Sequence, residues 1–266
     1  MNFFAKNLRK TILDMAYAGS TVHIGCAFSI VEIVAVLYRE FLKFPGNDPA
    51  GVDRDFFVLS KGHGVMAQYA CFKELGWLDD EAVDGYFRDG TKLKGLSDSR
   101  VSGIEVTSGS LGHGLSVGVG MAFGVKLKKS SQKTYILIGD GEMNEGAIWE
   151  GVMFASHHDL KNLMIIVDAN GFQAMGPTDD VIRLGSIKDK FEAFGFDVTE
   201  VDGHDEIAID TAIRSSWLSS SSKPKALVAR TIKGKGVSFM ENNNAWHYTR
   251  LTEKTYRDAV DEVLDT

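Results

Sequence analysis

Two rhythms of apolar residues alternate along this chain. Phe4, Leu8, Ile12, Met15 and Ala16 recur at helical spacing, whereas Phe56-Phe57-Val58-Leu59, Thr134-Tyr135-Ile136-Leu137-Ile138 and Leu163 to Val167 are short unbroken runs. The first pattern predicts an amphipathic helix over residues 3–18, closed by Gly19-Ser20-Thr21, and the second predicts buried strands. Further strands are expected at 197–201 and 226–232. Helices are expected at 66–76, 79–87, 111–126, from about Glu145, at 185–195, and from a cap at Asp205 through Leu218. Ser29-Ile30-Val31-Glu32 reads as a capping box opening a helix to about Leu42. Strands alternating with helices in this way call for an α/β fold, a doubly wound, mainly parallel sheet with helices on both faces.

The strand ends carry the candidate chemistry. One run breaks at Gly139-Asp140-Gly141 and the next ends at Asp168-Ala169-Asn170-Gly171. Parallel strands expose their carboxyl ends on one edge, so Asp140 and Asn170 are expected to be neighbours. A carboxylate and an amide oxygen suit a hard cation such as Mg²⁺, which keeps places for phosphate and water. A diphosphate fits those places, because Gly139 and Gly141 let the backbone approach and the following helix points its N-terminal N–H groups there. Either piece alone reads as a turn; the two together, joined by a helix, read as a cofactor site.

Other segments reach the same edge. Ser60-Lys61-Gly62-His63-Gly64 follows the strand at 56–59, with room left around the His63 imidazole. Lys233-Gly234-Lys235-Gly236 follows the strand at 226–232, and an anionic ligand or a solvated turn accounts for it equally well. His23 falls in a loop after the first helix, while His157 and His158 close the helix after Glu145, where its dipole explains them. The helix at 111–126 carries Gly112, Ser116, Gly120 and Gly124 in one row and Gly114, Gly118 and Ala122 beside it. Each exposed helix glycine costs about 0.5–1 kcal/mol against alanine. Close packing must therefore return more, either on the chain's own sheet or across a subunit interface.

With 266 residues and four prolines, the chain has no evident linker and is read as one domain over residues 1–266. A formal charge of −7 argues against nucleic acid or an anionic membrane surface as the main partner. Cys26 and Cys71 are too few to staple such a chain, which fits a reducing, cytoplasmic setting. No apolar run reaches membrane-spanning length.

Gly139-Asp140-Gly141 followed by Asn170 resembles the thiamine diphosphate motif, and Gly-Asp-Gly-Glu-Met-Asn-Glu-Gly at 139–146 is similar to its form in transketolases. The resemblance extends through Leu59-Ser60-Lys61-Gly62-His63-Gly64, Ser108-Gly109-Ser110-Leu111-Gly112, Val201-Asp202-Gly203-His204-Asp205 and Lys233-Gly234-Lys235-Gly236. It implies the diphosphate-binding domain of a thiamine diphosphate-dependent transferase. Its metal, Mg²⁺ or else Ca²⁺ or Mn²⁺, would be held by Asp140, Asn170 and the Phe172 carbonyl. Cofactor contacts would come from His63, Gly109, Ser110, Leu111, Gly139, Asp140, Gly141, Glu142, Asn170, Phe172 and His247. His23, His63 and His247 are implied as proton donors, and Glu145 as a group near a subunit boundary that links two cofactor sites.

The resemblance also implies absent parts. Transketolases continue into pyrimidine-binding and C-terminal domains, so a split enzyme is expected, with a second polypeptide completing an α₂β₂ assembly and no activity without it. Expected substrates are a ketose donor and an aldose or other carbonyl acceptor. Gly95-Leu96-Ser97 stands where the family has Gly-His-Pro, and His113 where it more often has glutamine. Loss of the donor-contacting histidine leaves a 2-oxo acid donor such as pyruvate as an alternative. A non-catalytic binding or regulatory role and the α-chain of a 2-oxo acid dehydrogenase are further readings; the latter shares the metal motif alone.

Overall fold

The computed structural model describes residues 3–265. In chain order the elements are α1 (Ala5–Ala18), α2 (Ile24–Phe28), α3 (Val31–Val36), β1 (Phe56–Leu59), α4 (Val65–Glu74), α5 (Asp80–Asp84), α6 (His113–Leu127), β2 (Thr134–Gly139) and α7 (Gly146–His157). After them come β3 (Leu163–Ala169), β4 (Phe172–Gln173), β5 (Gly176–Pro177), α8 (Thr178–Val181), α9 (Ile187–Ala193), β6 (Asp197–Asp202), α10 (Glu206–Leu218), β7 (Lys225–Arg230) and α11 (Glu253–Asp265).

Five strands form one sheet in the order β1-β2-β3-β7-β6, and every neighbouring pair is parallel. Two of the unbroken apolar runs become the interior strands β2 and β3, which are covered on both faces, and the third becomes the edge strand β1. Tyr135, Leu137, Met164 and Ile166 face a core built with α1, α3 and α4, whereas Ile136, Ile138, Ile165 and Val167 face one built with α6, α7 and α9. Parallel strands buried on both sides are expected to read as continuous hydrophobic runs. The register pairs Gly139 with Asp168 and Asp168 with Ala229, so β2, β3 and β7 end level on one edge. No helix among the described residues is long and apolar enough to cross a membrane.

Two local expectations are corrected. The capping box does not form: Ser29 Oγ donates to Asp168 Oδ2 at 2.7 Å, and Glu32 binds Arg9 at 2.7 Å and His204 Nδ1 at 3.0 Å. Distant buried partners outcompete the local backbone donors, and α3 follows Ile30 without a side-chain cap. His23-Ile24-Gly25 is not a plain loop either, since Ile24 opens α2 with His23 as its left-handed N-cap residue.

The two small-residue rows of α6 have different fates. A Cβ on Gly114 would lie 2.7 Å from the Ser60 Cα, and one on Gly118 would lie 2.6 Å from the Ile136 Cδ1, so this row packs on the chain's own sheet. Around Gly120 and Gly124 a Cβ would meet nothing within 4 Å. Val117 on α6, with Met153 and Phe154 on α7, extends that open strip as exposed apolar surface.

Candidate cofactor and active site

A cavity of about 560 Å³ opens at the carboxyl edge of the sheet, lined among others by His23, His63, Asp140, Asn170, Lys233 and His247. The apposition expected from strand ends is present. Gly171, whose φ of 79° suits a residue without Cβ, turns its N–H onto Asp140 Oδ2 at 2.6 Å, while Asp140 Oδ1 accepts from Gly141 N at 2.8 Å. Asn170 Oδ1 accepts from Phe172 N at 3.0 Å, and its Nδ2 donates to Asp168 Oδ2 at 2.8 Å. Asp140 and the Asn170 turn are thus held together by a bond that spans 31 positions of the chain.

Burial, reinforced by the negative charge of Asp168, pushes the Asp140 carboxyl up to about 6. Two backbone N–H groups offset only part of that penalty. A cation at this corner would relieve it, so the donor set fits a hard divalent ion beside a diphosphate.

Beneath the corner lies a network that the strand-end motifs do not disclose. Asp168, fully buried, accepts from Lys61 Nζ, Ser29 Oγ, Asn170 Nδ2 and Thr231 Oγ1. Burial pushes its carboxyl up, but the charge and hydrogen bond of Lys61, with the hydrogen bonds from Thr231 and Ser29, together hold it below the usual range. Lys61 in turn donates to Cys26 O at 3.1 Å. Lys233 is buried as well, and its Nζ donates to Asn244 Oδ1 and His247 Nδ1, both at 2.8 Å. Lys233 is therefore not the solvated-turn lysine of the alternative reading, whereas Lys235 pairs with Glu241 at 3.5 Å.

The three imidazoles meet. Ring centroids are 5.4 Å apart for His23 and His63, 5.4 Å for His23 and His247, and 5.6 Å for His63 and His247. His23 is held at φ 69° while its backbone N–H donates to His247 O at 3.2 Å. Burial, then the Lys61 charge, lowers His63 well below the ordinary range; burial and Lys233 lower His247 to about 3, and the same two causes lower His23. All three rings are neutral at pH 7 as a result. With Nδ1 of His247 accepting from Lys233, its proton sits on Nε2, a neutral donor suited to a developing alkoxide.

The remaining expected residues divide. Gly109, Leu111, Gly139, Gly141, Glu145 and Phe172 line the cavity. Gly109 has φ 138°, and a Cβ there would meet Leu96 Cδ1 at 2.9 Å, so Leu96 forms the adjoining wall. Ser110 is exposed and outside that lining. Glu142 turns its carboxylate inward to Ser60 Oγ, Gly112 N and Gly139 N, tying β1, α6 and β2 together. Glu145 precedes α7 without capping it and is exposed. His113 is exposed with Nδ1 on Leu111 O at 3.2 Å and does not reach the cavity.

Comparison with known proteins gives the family. Residues 2–262 match the family described as transketolase, thiamine diphosphate binding domain. The chain is 40% identical over 257 residues to an apulose-4-phosphate transketolase subunit of Phocaeicola vulgatus, covering 97% of this chain and 91% of that one. It is 39% identical over 260 residues to the 6-deoxy-6-sulfo-D-fructose transketolase subunit SqwG of a Clostridium species, covering 97% and 94%. The solved transketolase of Campylobacter jejuni superposes with a TM-score of 0.89 at 28% identity, over 97% of this chain but 42% of that one. From the family match and the relatives together, the chain belongs to the transketolase family as a thiamine diphosphate-binding domain.

Proposed function

We propose that this chain is the diphosphate-binding subunit of a split transketolase that moves a two-carbon ketol unit from a ketose donor to an aldose or other carbonyl acceptor. The observation that carries the reading is the apposition of Asp140 and the Asn170 turn in one cavity with the three clustered imidazoles. Thiamine diphosphate, when bound, supplies the electron sink that makes a ketol carbon transferable. Asp140, Asn170 and the Phe172 carbonyl would hold Mg²⁺, and Lys233 would add a positive charge facing the phosphates. His63 and His247 would present N–H groups to the reacting carbonyl oxygens, with His23 beside them. Gly109 and Leu111 shape the wall over the cofactor.

Relatives named as subunits, nearly equal to this chain in length, support a second polypeptide carrying the pyrimidine-binding and C-terminal domains. An α₂β₂ assembly is the proposed form. The open face of α6 and α7 suits its interface, which would bring Glu145 to the boundary between two sites. The sugars in the relatives' names are ketoses bearing a phosphate or a sulfo group, which favours an anionic ketose over a 2-oxo acid here. A second cavity of about 310 Å³ shares His23 and Leu96 with the first and carries Lys94 and Arg250, charges suited to such a group.

The test is reconstitution. The chain is purified alone and with a polypeptide carrying the pyrimidine-binding and C-terminal domains, then assayed with Mg²⁺, thiamine diphosphate, a ketose phosphate and an aldose. Ketol transfer only in the mixture is expected. Full turnover by the chain alone, or pyruvate consumption without ketose use, would overturn the proposal.

A further inference from the structure

The same cavity contains a second group of ligand atoms, chemically unlike the first. Cys26, His63 and His247 each offer one ligand atom within 4.8 Å of the other two, and Cys26 Sγ stands 3.6 Å from His247 Nδ1. In tetrahedral zinc coordination, a Zn–S bond of about 2.3 Å and a Zn–N bond of about 2.0 Å place sulfur and nitrogen about 3.5 Å apart. The pair already stands at that edge length.

The three side chains arrive on separate segments that are fixed to one another. Cys26 lies in α2, His63 in the turn Gly62–Gly64 after β1, and His247 in the turn Asn244–His247. The His23 N–H on His247 O binds the start of α2 to the last of these. A Cβ on Gly64 would come within 3.3 Å of Cys26 O, so α2 also sits closely on the His63 turn. Bringing these donors around an ion therefore requires side-chain adjustment rather than refolding.

We propose that Cys26, His63 and His247 form a thiophilic metal site, separate from the oxygen ligands at Asp140 and Asn170, that captures Zn²⁺ or a similarly soft divalent ion when no cofactor fills the cavity. One thiolate and two imidazoles with the fourth position open to the cavity is a donor set for zinc or copper, not for magnesium. The charged groups acting on Cys26 are Lys61 and Lys233, which are cationic, and Asp168 and Asp140, which are anionic. The two ammonium groups oppose an ion held by charge alone, and covalent character in the sulfur bond overcomes them. On binding, the Cys26 thiol releases its proton to solvent as the sulfur–metal bond forms. His247 Nδ1 exchanges its hydrogen bond from Lys233 for the metal, and Lys233 keeps Asn244.

One consequence rests on the proposed function: His63 and His247 cannot serve a soft ion and the cofactor at once, so each excludes the other. The site would act as a metal-sensitive block on loading.

The experiment titrates the chelator-washed chain with Co²⁺ as a spectroscopic probe, then with Zn²⁺. One equivalent of Co²⁺ should produce a thiolate-to-cobalt charge-transfer band that Zn²⁺ abolishes. Cys26→Ala should lose the band and Cys71→Ala should keep it; Cys26→Ser, closer in size, gives the same reading if Cys26→Ala does not fold. No band in the unsubstituted chain, or one that persists without the Cys26 sulfur, overturns the metal site. Saturating Mg²⁺ with thiamine diphosphate, added to the chain reconstituted with its pyrimidine-domain partner, should suppress Co²⁺ uptake. A band untouched by cofactor would leave the metal site standing and instead overturn the placement of the cofactor in this cavity.

Discussion

Alanine placed at Gly120 and at Gly114 tests how the two faces of α6 are used. Both glycines lie inside the same helix, so the intrinsic gain on adding a methyl group is equal, about 0.5–1 kcal/mol. Their surroundings reverse the balance. At Gly120 the new Cβ meets nothing within 4 Å, and the gain stands. At Gly114 it would lie 2.6 Å from Ser60 Oγ and 2.7 Å from Ser60 Cα, distances at which backbone must move. Overpacking of this kind costs about 1–3 kcal/mol, which exceeds the helix gain.

Denaturant titration of the isolated chain should therefore show Gly120→Ala stabilised by about 0.5–1 kcal/mol and Gly114→Ala destabilised by about 1–2 kcal/mol. In the proposed assembly the first sign reverses. If the strip at Gly120 and Gly124 receives a partner helix at close range, Gly120→Leu leaves the lone chain folded but weakens assembly, measured by sedimentation of the reconstituted complex. A Gly120→Ala chain destabilised on its own, or Gly120→Leu assembling as tightly as the original, would refute the division of the two faces.

Lys61→Met and Asp168→Asn should each cost about 3–5 kcal/mol, because each strands the other's buried charge, while the double substitution costs clearly less than their sum in a denaturant-based cycle. Simple additivity would show that the pair is not coupled. Glu32 is held below the usual carboxylate range, because the His204 hydrogen bond and the Arg9 guanidinium outweigh burial. Its stabilisation is complete above the unfolded value near 4.5 and is lost as pH falls through the lower folded value, so Glu32→Gln should flatten the acid limb of unfolding midpoint against pH. Gly109→Ala, with φ 138° and Leu96 Cδ1 at 2.9 Å, should reduce Mg²⁺-dependent thermal stabilisation by thiamine diphosphate more than it lowers the melting temperature of the bare chain. Equal losses in both would remove Gly109 from the cofactor wall.

What can be read from the sequence, and what cannot, follows from the range of the interactions involved. The unbroken runs of β2 and β3 and the rule that parallel strands end on one edge are enough to bring Asp140 to Asn170, because both inferences need only local pattern and topology. The Ser29 to Glu32 segment misleads because its local signal is genuine but weaker than its distant partners. A capping hydroxyl gains about 1 kcal/mol from a backbone N–H, whereas leaving Asp168 short of a donor, or Arg9 without its carboxylate, costs several times that. Lys61 and Lys233 are hidden for a related reason: a lysine beside glycines in a loop reads as solvated until something demands its burial.

That demand is itself visible in the sequence, since Asp168 closes an otherwise apolar strand that the pattern places in the centre of the sheet, and a carboxylate there needs a cation. The strand-end rule that joins Asp140 to Asn170 also places Lys61 after β1 and Lys233 after β7, on the same edge. Followed one step further, it leads from an unexplained buried acid to both lysines, and so to the floor on which the Asn170 turn is held.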